Sequence, residues 1–327
     1  MSGRFVIHGA GAVGGVIGGA LHLAGHDVAL VARGAHHDAM AERGLTLHLP
    51  SGRHQLPIPV VRHPDELAWS SDDVVILAVK VQDSEEALAA LVRRAPASVA
   101  VVCAQNGVEG ERRALRRFSR VYAMCVQLPS QHLEPGVVDG GGVPHLGVLD
   151  VGRYPTGTDE GAARIAAALT SAGFRSQARA DVMRYKYAKL RLNTGNALDA
   201  ACGRDAFGSD LARRAGAEAL AVFAAAGIDV ASRDEERIQR DGFRLADDKA
   251  RGGSSSWQSL ARGSGRIETD HLNGEVVLLG RLHGVATPVN EAFRRIAAML
   301  AADGREPGTV AITEVEALVA ELEATSG

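Results

Sequence analysis

Apolar positions come in short blocks through the first half of the chain and then change period. Arg4 to His8 is an apolar run, followed by Gly9-Ala10-Gly11-Ala12-Val13-Gly14, by an apolar stretch from Val16 to Ala24 closed at Gly25, and by a second run from Asp27 to Ala32. That order predicts strand, glycine turn, helix and strand. Ala35 to Arg43 reads as a short helix stopped at Gly44; Leu45 to Leu49 and His54 to Val61 read as strands around Pro50-Ser51-Gly52. Asp73 to Val79 and Val99 to Ala104 are continuous apolar runs, the pattern of strands covered on both faces. Further strands are expected at Tyr122 to Leu128, Val137 to Asp139 and Leu146 to Leu149. An alanine-rich helix from Thr158 to Ala172 and a return strand from Phe174 to Ala178 follow. The run Gly140-Gly141-Gly142 predicts a bend, because no helix follows it.

After about Asp181 the alternation stops and helical spacing takes over. Helices are expected over Val182 to Ala200, with a break at Gly195, and over Leu211 to Ala226, Asp234 to Asp248, Arg266 to Gly280, Glu291 to Ala302 and Glu314 to Ala324. Arg251 to Ser256 reads as a Gly/Ser loop, and Pro288 stands near a helix start, where its missing N–H costs least. The last helix, apolar at Val315, Leu318 and Leu322, suits packing across the body or against a second copy in a homodimer. The expected fold class is α/β. An N-terminal Rossmann-type doubly wound sheet is expected over 1–180 and a C-terminal all-helical domain over 181–327.

Composition narrows the function classes. The 327 residues are 46% hydrophobic and 23% charged, enough for a sizeable core. The formal charge of −3, with both signs interspersed, gives no basic field for a phosphate polymer, so nucleic acid is not an expected partner. Arg112, Arg113, Arg116 and Arg117 read as a solvated helix face. The three cysteines, Cys103, Cys125 and Cys202, form no metal-ligand spacing, and the odd count suits a reducing cytoplasm. Met1 to Arg4 leads straight into the first strand, so no signal peptide is expected, and no run approaches the roughly 18 apolar residues of a membrane helix. The histidines are scattered and His36-His37 point apart, so no metal is expected.

Several places carry chemistry. In Gly9-x-Gly11-x-x-Gly14 the first glycine makes a tight turn, the second admits a pyrophosphate to the backbone, including the N–H groups at Ala12 and Val13, and the third lets helix and strand pack closely. A tight turn without ligand would carry the same letters, but the strand-turn-helix context favours a dinucleotide. The second strand ends Val31-Ala32-Arg33-Gly34, without the acid that holds a ribose 2′-hydroxyl; Arg33 offers a planar fork suited to a 2′-phosphate, which favours NADP, with His37 as a weaker second donor. Lys80 and Asn106 stand at the ends of two successive expected strands, where a doubly wound sheet binds its ligand. In the second half, Lys189, Asn193 and Asn196 lie at i, i+4 and i+7, within about 60° on one helix face. A solvated face explains that trio equally well from spacing alone. A lysine with two amides also suits a keto acid, whose carbonyl needs a proton donor and whose carboxylate needs N–H groups. Glu268 reads as an acid in a first helical turn, and Ser256 as the end of a serine-rich loop.

Together these residues resemble the ketopantoate reductases (2-dehydropantoate 2-reductases). The resemblance runs over nearly the whole chain. It rests on Gly9-x-Gly11-x-x-Gly14, Lys80, Gln105-Asn106-Gly107 and Lys189-x-x-x-Asn193. It continues through Ser254-Ser255-Ser256, Glu268-x-Asp270-x-x-Asn273-Gly274 at twelve residues' distance, and Thr287-Pro288-Val289-Asn290. It implies an NADP-binding Rossmann-type domain over 1–180 joined to a helical substrate and dimerisation domain over 181–327, with the active site in the cleft, and NADPH-dependent reduction of ketopantoate to pantoate on the route to pantothenate and coenzyme A. Lys189 resembles the catalytic lysine, Glu268 the acid that positions it, Lys80 and Asn106 the cofactor-side polar residues, and Asn193 and Ser256 substrate contacts. One departure concerns the second amide, which ketopantoate-specific members often place eight residues after the lysine. Here residue 197 is alanine and the amide is Asn196. The expected alternatives are therefore a same-family enzyme acting on another 2-keto or β-keto acid, and a non-catalytic NADP-binding sensor module.

Overall fold

The computed structural model describes residues 3–246, 253–263 and 265–325. The chain runs β1 (Phe5–His8), α1 (Ala12–Leu23), β2 (Val28–Val31), α2 (Gly34–Arg43), β3 (Leu45–Leu49), β4 (Gly52–Leu56), β5 (Val60–Val61), β6 (Val74–Leu77), α3 (Ser84–Val92), β7 (Ala100–Cys103) and α4 (Gly110–Leu115). It continues β8 (Arg120–Gln127), β9 (Ser130–Gln131), β10 (Val137–Gly140), β11 (Gly142–Val143), β12 (Val148–Arg153) and α5 (Glu160–Ser171). Then come α6 (Val182–Asn193), α7 (Asn196–Cys202), α8 (Asp210–Ala225), α9 (Arg233–Gln239), β13 (Arg244–Leu245), α10 (Ser255–Ala261), α11 (Asn273–His283), α12 (Pro288–Ala302) and α13 (Ile312–Thr325). Contacts divide these into two compact units: Met1–Lys186 with Arg233–Asp248, and Tyr187–Ser232 with Lys249–Gly327.

The first unit is built on a seven-stranded sheet in the order β12-β8-β7-β6-β1-β2-β5. Its strands are parallel except β12, which runs antiparallel to β8. Strand alternation sorts the core. Phe5, Ile7, Ile76, Val102 and Met124 pack on one face with Ile17 and Leu21 of α1 and Ile165 and Leu169 of α5. Val6, Val75, Leu77, Val101 and Cys103 pack on the other with Leu88 and Leu91 of α3 and Ala114 of α4. Helices on both faces make the sheet doubly wound. The order reverses beside β1, so the crevice at the carboxyl ends of β1 and β6 is the place such sheets offer a ligand. A second sheet, β4-β3-β10-β9, lies over α1: a Cβ on Gly15 would meet Val138, and one on Gly19 would meet Leu47. Covered on both sides, α1 is apolar all round.

The stretch read from sequence as one helix, Asp234 to Asp248, is helical only through Gln239. A turn at Gly242 (φ +72°) leads into β13, which pairs antiparallel with β11. The segment joins the first unit through Gln239 Nε2 on the buried Asp150 carboxylate at 2.9 Å and through Arg184 on Glu235 at 2.8 Å. The expected strand His54 to Val61 is two pieces, β4 and β5, and Phe174 to Ala178 forms only isolated bridges to β12. Cys103 and Cys125 are buried in strands.

The second unit packs α7, α8, α10, α12 and α13 around Leu198, Leu211, Phe293, Ile296 and Leu300. Val315 and Val319 of α13 are buried in this core, with Leu318 and Leu322 half-buried beside them, so the last helix spends its apolar face inside its own unit. Pro288 is the first residue of α12. No helix among the described residues is long and apolar enough to cross a membrane.

Candidate active site

The glycine turn is held by backbone contact. Gly9 adopts φ +103°, and a Cβ there would lie 2.6 Å from Val79 N, so only glycine lets the end of β1 approach the segment leaving β6. A Cβ on Gly14 would lie 2.1 Å from Gly9 O, which fixes the close packing of α1 on its strand. A Cβ on Gly11 would meet nothing within 4 Å, so the turn is open on that side. No side chain caps the N-terminus of α1, and its first turn holds no acid. The N–H groups around Ala12 and Val13 and the positive end of the helix dipole fit a pyrophosphate.

Two histidines frame this turn. His36 Nε2 donates to Ala10 O at 2.8 Å and Nδ1 accepts the Gly136 N–H at 2.8 Å, an arrangement that needs the neutral ring. Burial, then the neighbouring His132, lowers the His36 pKa to about 4. His8 is buried with no partner for Nδ1 among the described residues, and burial, then the Arg33 charge, lowers its pKa to about 4. The unfolded chain takes up these protons near pH 6.5. The stability carried by the neutral rings is therefore intact above that value and is lost as pH falls toward 4, by about 3 kcal/mol for His8 alone. Urea midpoints measured at pH 7.5 and 4.5 should separate far less in His8→Leu than in the parent; an equal separation would reject the assignment.

Arg33 ends the loop after β2 and caps α2 with its backbone. Its side chain is 62% exposed and its Nη1 lies 3.0 Å from Glu86 Oε1. Such an exposed pair is weak, so a phosphate dianion can displace Glu86. Lys80, at the end of the segment after β6, and Asn106, after β7, are both half-buried. Gln105 locks their two segments: Nε2 donates to Val79 O and to Ser84 Oγ, each at 2.7 Å. Arg113 adds a bond to Val81 O at 2.8 Å, so one member of the expected solvated arginine face is turned inward.

The buried pair Lys186–Glu111 lay outside the sequence reading. Lys186 Nζ donates to Gln105 O at 2.9 Å and to Glu111 Oε1 at 2.5 Å. Burial raises the Glu111 pKa against the pull of the Lys186 ammonium. The signal was present: Val182, Lys186 and Leu190 lie at i, i+4 and i+8, one stripe of α6, and all are buried.

In the second unit, Lys189 is half-buried and Asn193, Asn196, Ser256 and Glu268 are buried. The break expected at Gly195 is present: α6 ends at Asn193 and α7 begins at Asn196, with Gly195 N turning back to Leu192 O in a tighter i−3 bond, so Lys189, Asn193 and Asn196 do not share one continuous helix face. Two further local expectations need correction. Ser256 is in the first turn of α10 rather than in a loop, because Ser254 caps that helix, its Oγ accepting from Trp257 N. Glu268 stands in a short 3-10 turn, Glu268–His271, and α11 starts only at Asn273. Arg251 and Gly252 of the expected loop, and Asp247 and Asp248 of the expected helix before it, lie outside the described residues. The structure brings the α7 and α10 segments together: Asp199 Oδ2 accepts Ser254 N at 2.6 Å, and Ser254 Oγ donates to Asn196 O at 3.2 Å. The Glu268 motif joins them through Asn273 Nδ2, which donates to Thr194 O at 2.9 Å. Asn193 Nδ2 is buried with no hydrogen-bond partner among the described residues.

A cavity of about 110 Å³ lined by Gly3, Asp73, Val74, Ala100 and Arg120 lies at the opposite, amino ends of the strands. It is too small for a ligand site of the usual several hundred Å³. Among the described residues no three His, Cys, Asp or Glu side chains cluster around a metal-sized point.

Two family models match this chain: ketopantoate reductase PanE/ApbA over residues 5–154 and its C-terminal counterpart over 181–301. The chain belongs to the ketopantoate reductase family. It is 30% identical over 315 residues to the 2-dehydropantoate 2-reductase of Halobacterium salinarum, spanning 92% of this chain and 100% of that one. The PanE/ApbA family ketopantoate reductase from Ralstonia eutropha JMP134 superposes with a TM-score of 0.78 at 29% identity, over 92% of this chain and 99% of that one. A D-mandelate dehydrogenase solved with NADH and anilino(oxo)acetate gives a TM-score of 0.77 at 20% identity, over 98% and 99% of the two chains, a likeness of fold alone. As a ketopantoate reductase family member the chain is an oxidoreductase, and the α/β architecture with a helical second part is the family's.

Proposed function

We propose that this chain reduces 2-dehydropantoate (ketopantoate) to pantoate with NADPH, with Lys189 as general acid. The observation that carries the reading is the buried Nδ2 of Asn193, one helical turn after Lys189 and without a hydrogen-bond partner among the described residues, a donor left over for a ligand in a family of keto-acid reductases. The nucleotide, when bound, supplies the hydride that becomes the new C–H bond at the keto carbon. The open glycine turn and the α1 N-terminus hold its pyrophosphate, Arg33 its 2′-phosphate, and Lys80 and Asn106 the end nearer the reaction. Lys189 Nζ gives its proton to the oxygen that becomes the hydroxyl. Asn193 donates to the same group, so that charge growing on oxygen meets fixed donors. Glu268 positions the ammonium, and the Ser256 hydroxyl and the Asn196 amide bind the substrate's polar groups.

A second reading has its own support. Ala197 occupies the place where ketopantoate-specific relatives often carry an amide, and Asn196 instead opens α7 after the break. A changed donor position suits a different 2-keto or β-keto acid reduced by the same apparatus. Steady-state rates on ketopantoate and a panel of other keto acids, each with NADPH and NADH, decide. The highest kcat/KM is expected for ketopantoate with NADPH. A larger value on another acid selects the second reading, and no turnover on any of them rejects both.

A further inference from the structure

The family motif around Glu268 ends in Asn273, whose side chain has no part in the chemistry just described. It is 0% exposed, inside the second unit. Nδ2 donates to Thr194 O at 2.9 Å and to Asn290 Oδ1 at 3.1 Å, while Oδ1 accepts from Thr269 Oγ1 at 3.4 Å. Asn290 is equally committed: its Nδ2 donates to Ala215 O at 3.0 Å and to Glu218 Oε2 at 2.7 Å. Glu218 is held in turn by the first N–H groups of α12, accepting from Val289 N and Asn290 N at 2.9 Å each. These bonds fix the direction of both amides. Asn290 cannot flip without facing its oxygen to a carbonyl and a carboxylate, so Oδ1 must meet Asn273, and Asn273 must turn Nδ2 toward Thr194.

Thr194 lies at the break that separates the two helix-borne amides, Asn193 and Asn196. A helix end leaves its last carbonyls without intrahelical donors, and here one such carbonyl is taken by a side chain 79 residues away. We propose that Asn273 is a positioning residue: by holding the Thr194 carbonyl it sets the bend between α6 and α7, and with it the angle at which Asn193 and Asn196 meet the keto acid. An apolar residue of the same size would fill the core equally well, but it would leave the bend undirected and the carbonyl unpaired. The inference rests on the keto-acid reading for what the two amides bind, and on the bonds alone for the bend.

Asn273→Ala removes the donor and Asn273→Asp replaces it with a repelling oxygen. Each variant and the parent are compared by steady-state kinetics and by hydrogen exchange of peptides covering residues 190–200. The expected result is a rise in keto-acid KM of about tenfold to a hundredfold, a nucleotide KM within about twofold of the parent, and faster exchange confined to 190–200. Parent-like exchange there, a KM rise shared by both substrates, or failure of both variants to fold overturns the proposal. A parent inert on every keto acid sinks the functional reading instead; the local exchange then decides the bend alone, faster in the variants supporting it and unchanged rejecting it.

Discussion

Lys189→Ala is expected to lower kcat by about 10²- to 10⁴-fold, the range a positioned general acid contributes, with nucleotide affinity within about twofold of the parent. The expectation starts from the helix. Lys189 and Asn193 are one turn apart on α6, so their side chains lie on one face, and Lys189 is half-buried while Asn193 is buried. An ammonium on that face can hand a proton to an oxygen as charge develops there. Lys189→Arg separates the two duties of the residue. A guanidinium keeps the positive charge that attracts a carboxylated substrate, but it does not release a proton in this pH range. Its KM should therefore stay nearer the parent value than that of the alanine variant, while its kcat falls as far. An alanine variant that keeps most of its turnover, or that loses only KM, would remove the lysine from the chemistry.

The first unit was legible because its signals are local. The short apolar runs at β1, β6 and β7 announce strands covered on both faces, and the glycines at 9, 11 and 14 announce the turn that joins strand to helix. The second unit was legible as helices but not as a site. Ser256 reads as loop because three serines in a row resemble filler. Only the capping bond from Trp257 N to Ser254 Oγ shows that a helix begins there. Glu268 reads as helical because the apolar spacing of the following segment runs through it, whereas Leu272, at φ −113° and ψ −84°, separates its turn from α11. The strand at Arg244–Leu245 depends on pairing with Gly142 and Val143, a hundred residues earlier, and no local pattern carries that. The site residues share this difficulty. Spacing put Lys189, Asn193 and Asn196 on one helix face and Gly195 announced a break between them, but the bond that holds the bend comes from Asn273, itself oriented by Asn290, far along the chain.

Lys186→Met is expected to destabilise the protein by about 3–5 kcal/mol, the usual result of removing one partner from a buried ion pair. Both side chains are out of solvent, and Glu111 Oε2 has no hydrogen-bond partner among the described residues, so the carboxylate depends on the ammonium for its compensation. Without Lys186, burial, helped by the Glu109 charge, outweighs the backbone hydrogen bond that remains and drives Glu111 toward the protonated form; the penalty should therefore shrink as pH is lowered, since a neutral carboxyl costs less to bury. The double variant Lys186→Met/Glu111→Leu removes both charges and should recover most of the loss, because well-packed apolar replacements of buried ion pairs are often neutral. Urea unfolding of parent, single and double variants at pH 7.5 and 5.5 gives the coupling directly. Function provides the second readout. Gln105 O loses its ammonium donor in both variants, and Gln105 also holds the segment leading to Lys80. If the pair serves only the core, the double variant regains nucleotide affinity together with stability. If Lys186 also fixes the backbone next to Asn106, the double variant unfolds like the parent yet binds nucleotide more weakly, and that separation is the expected result.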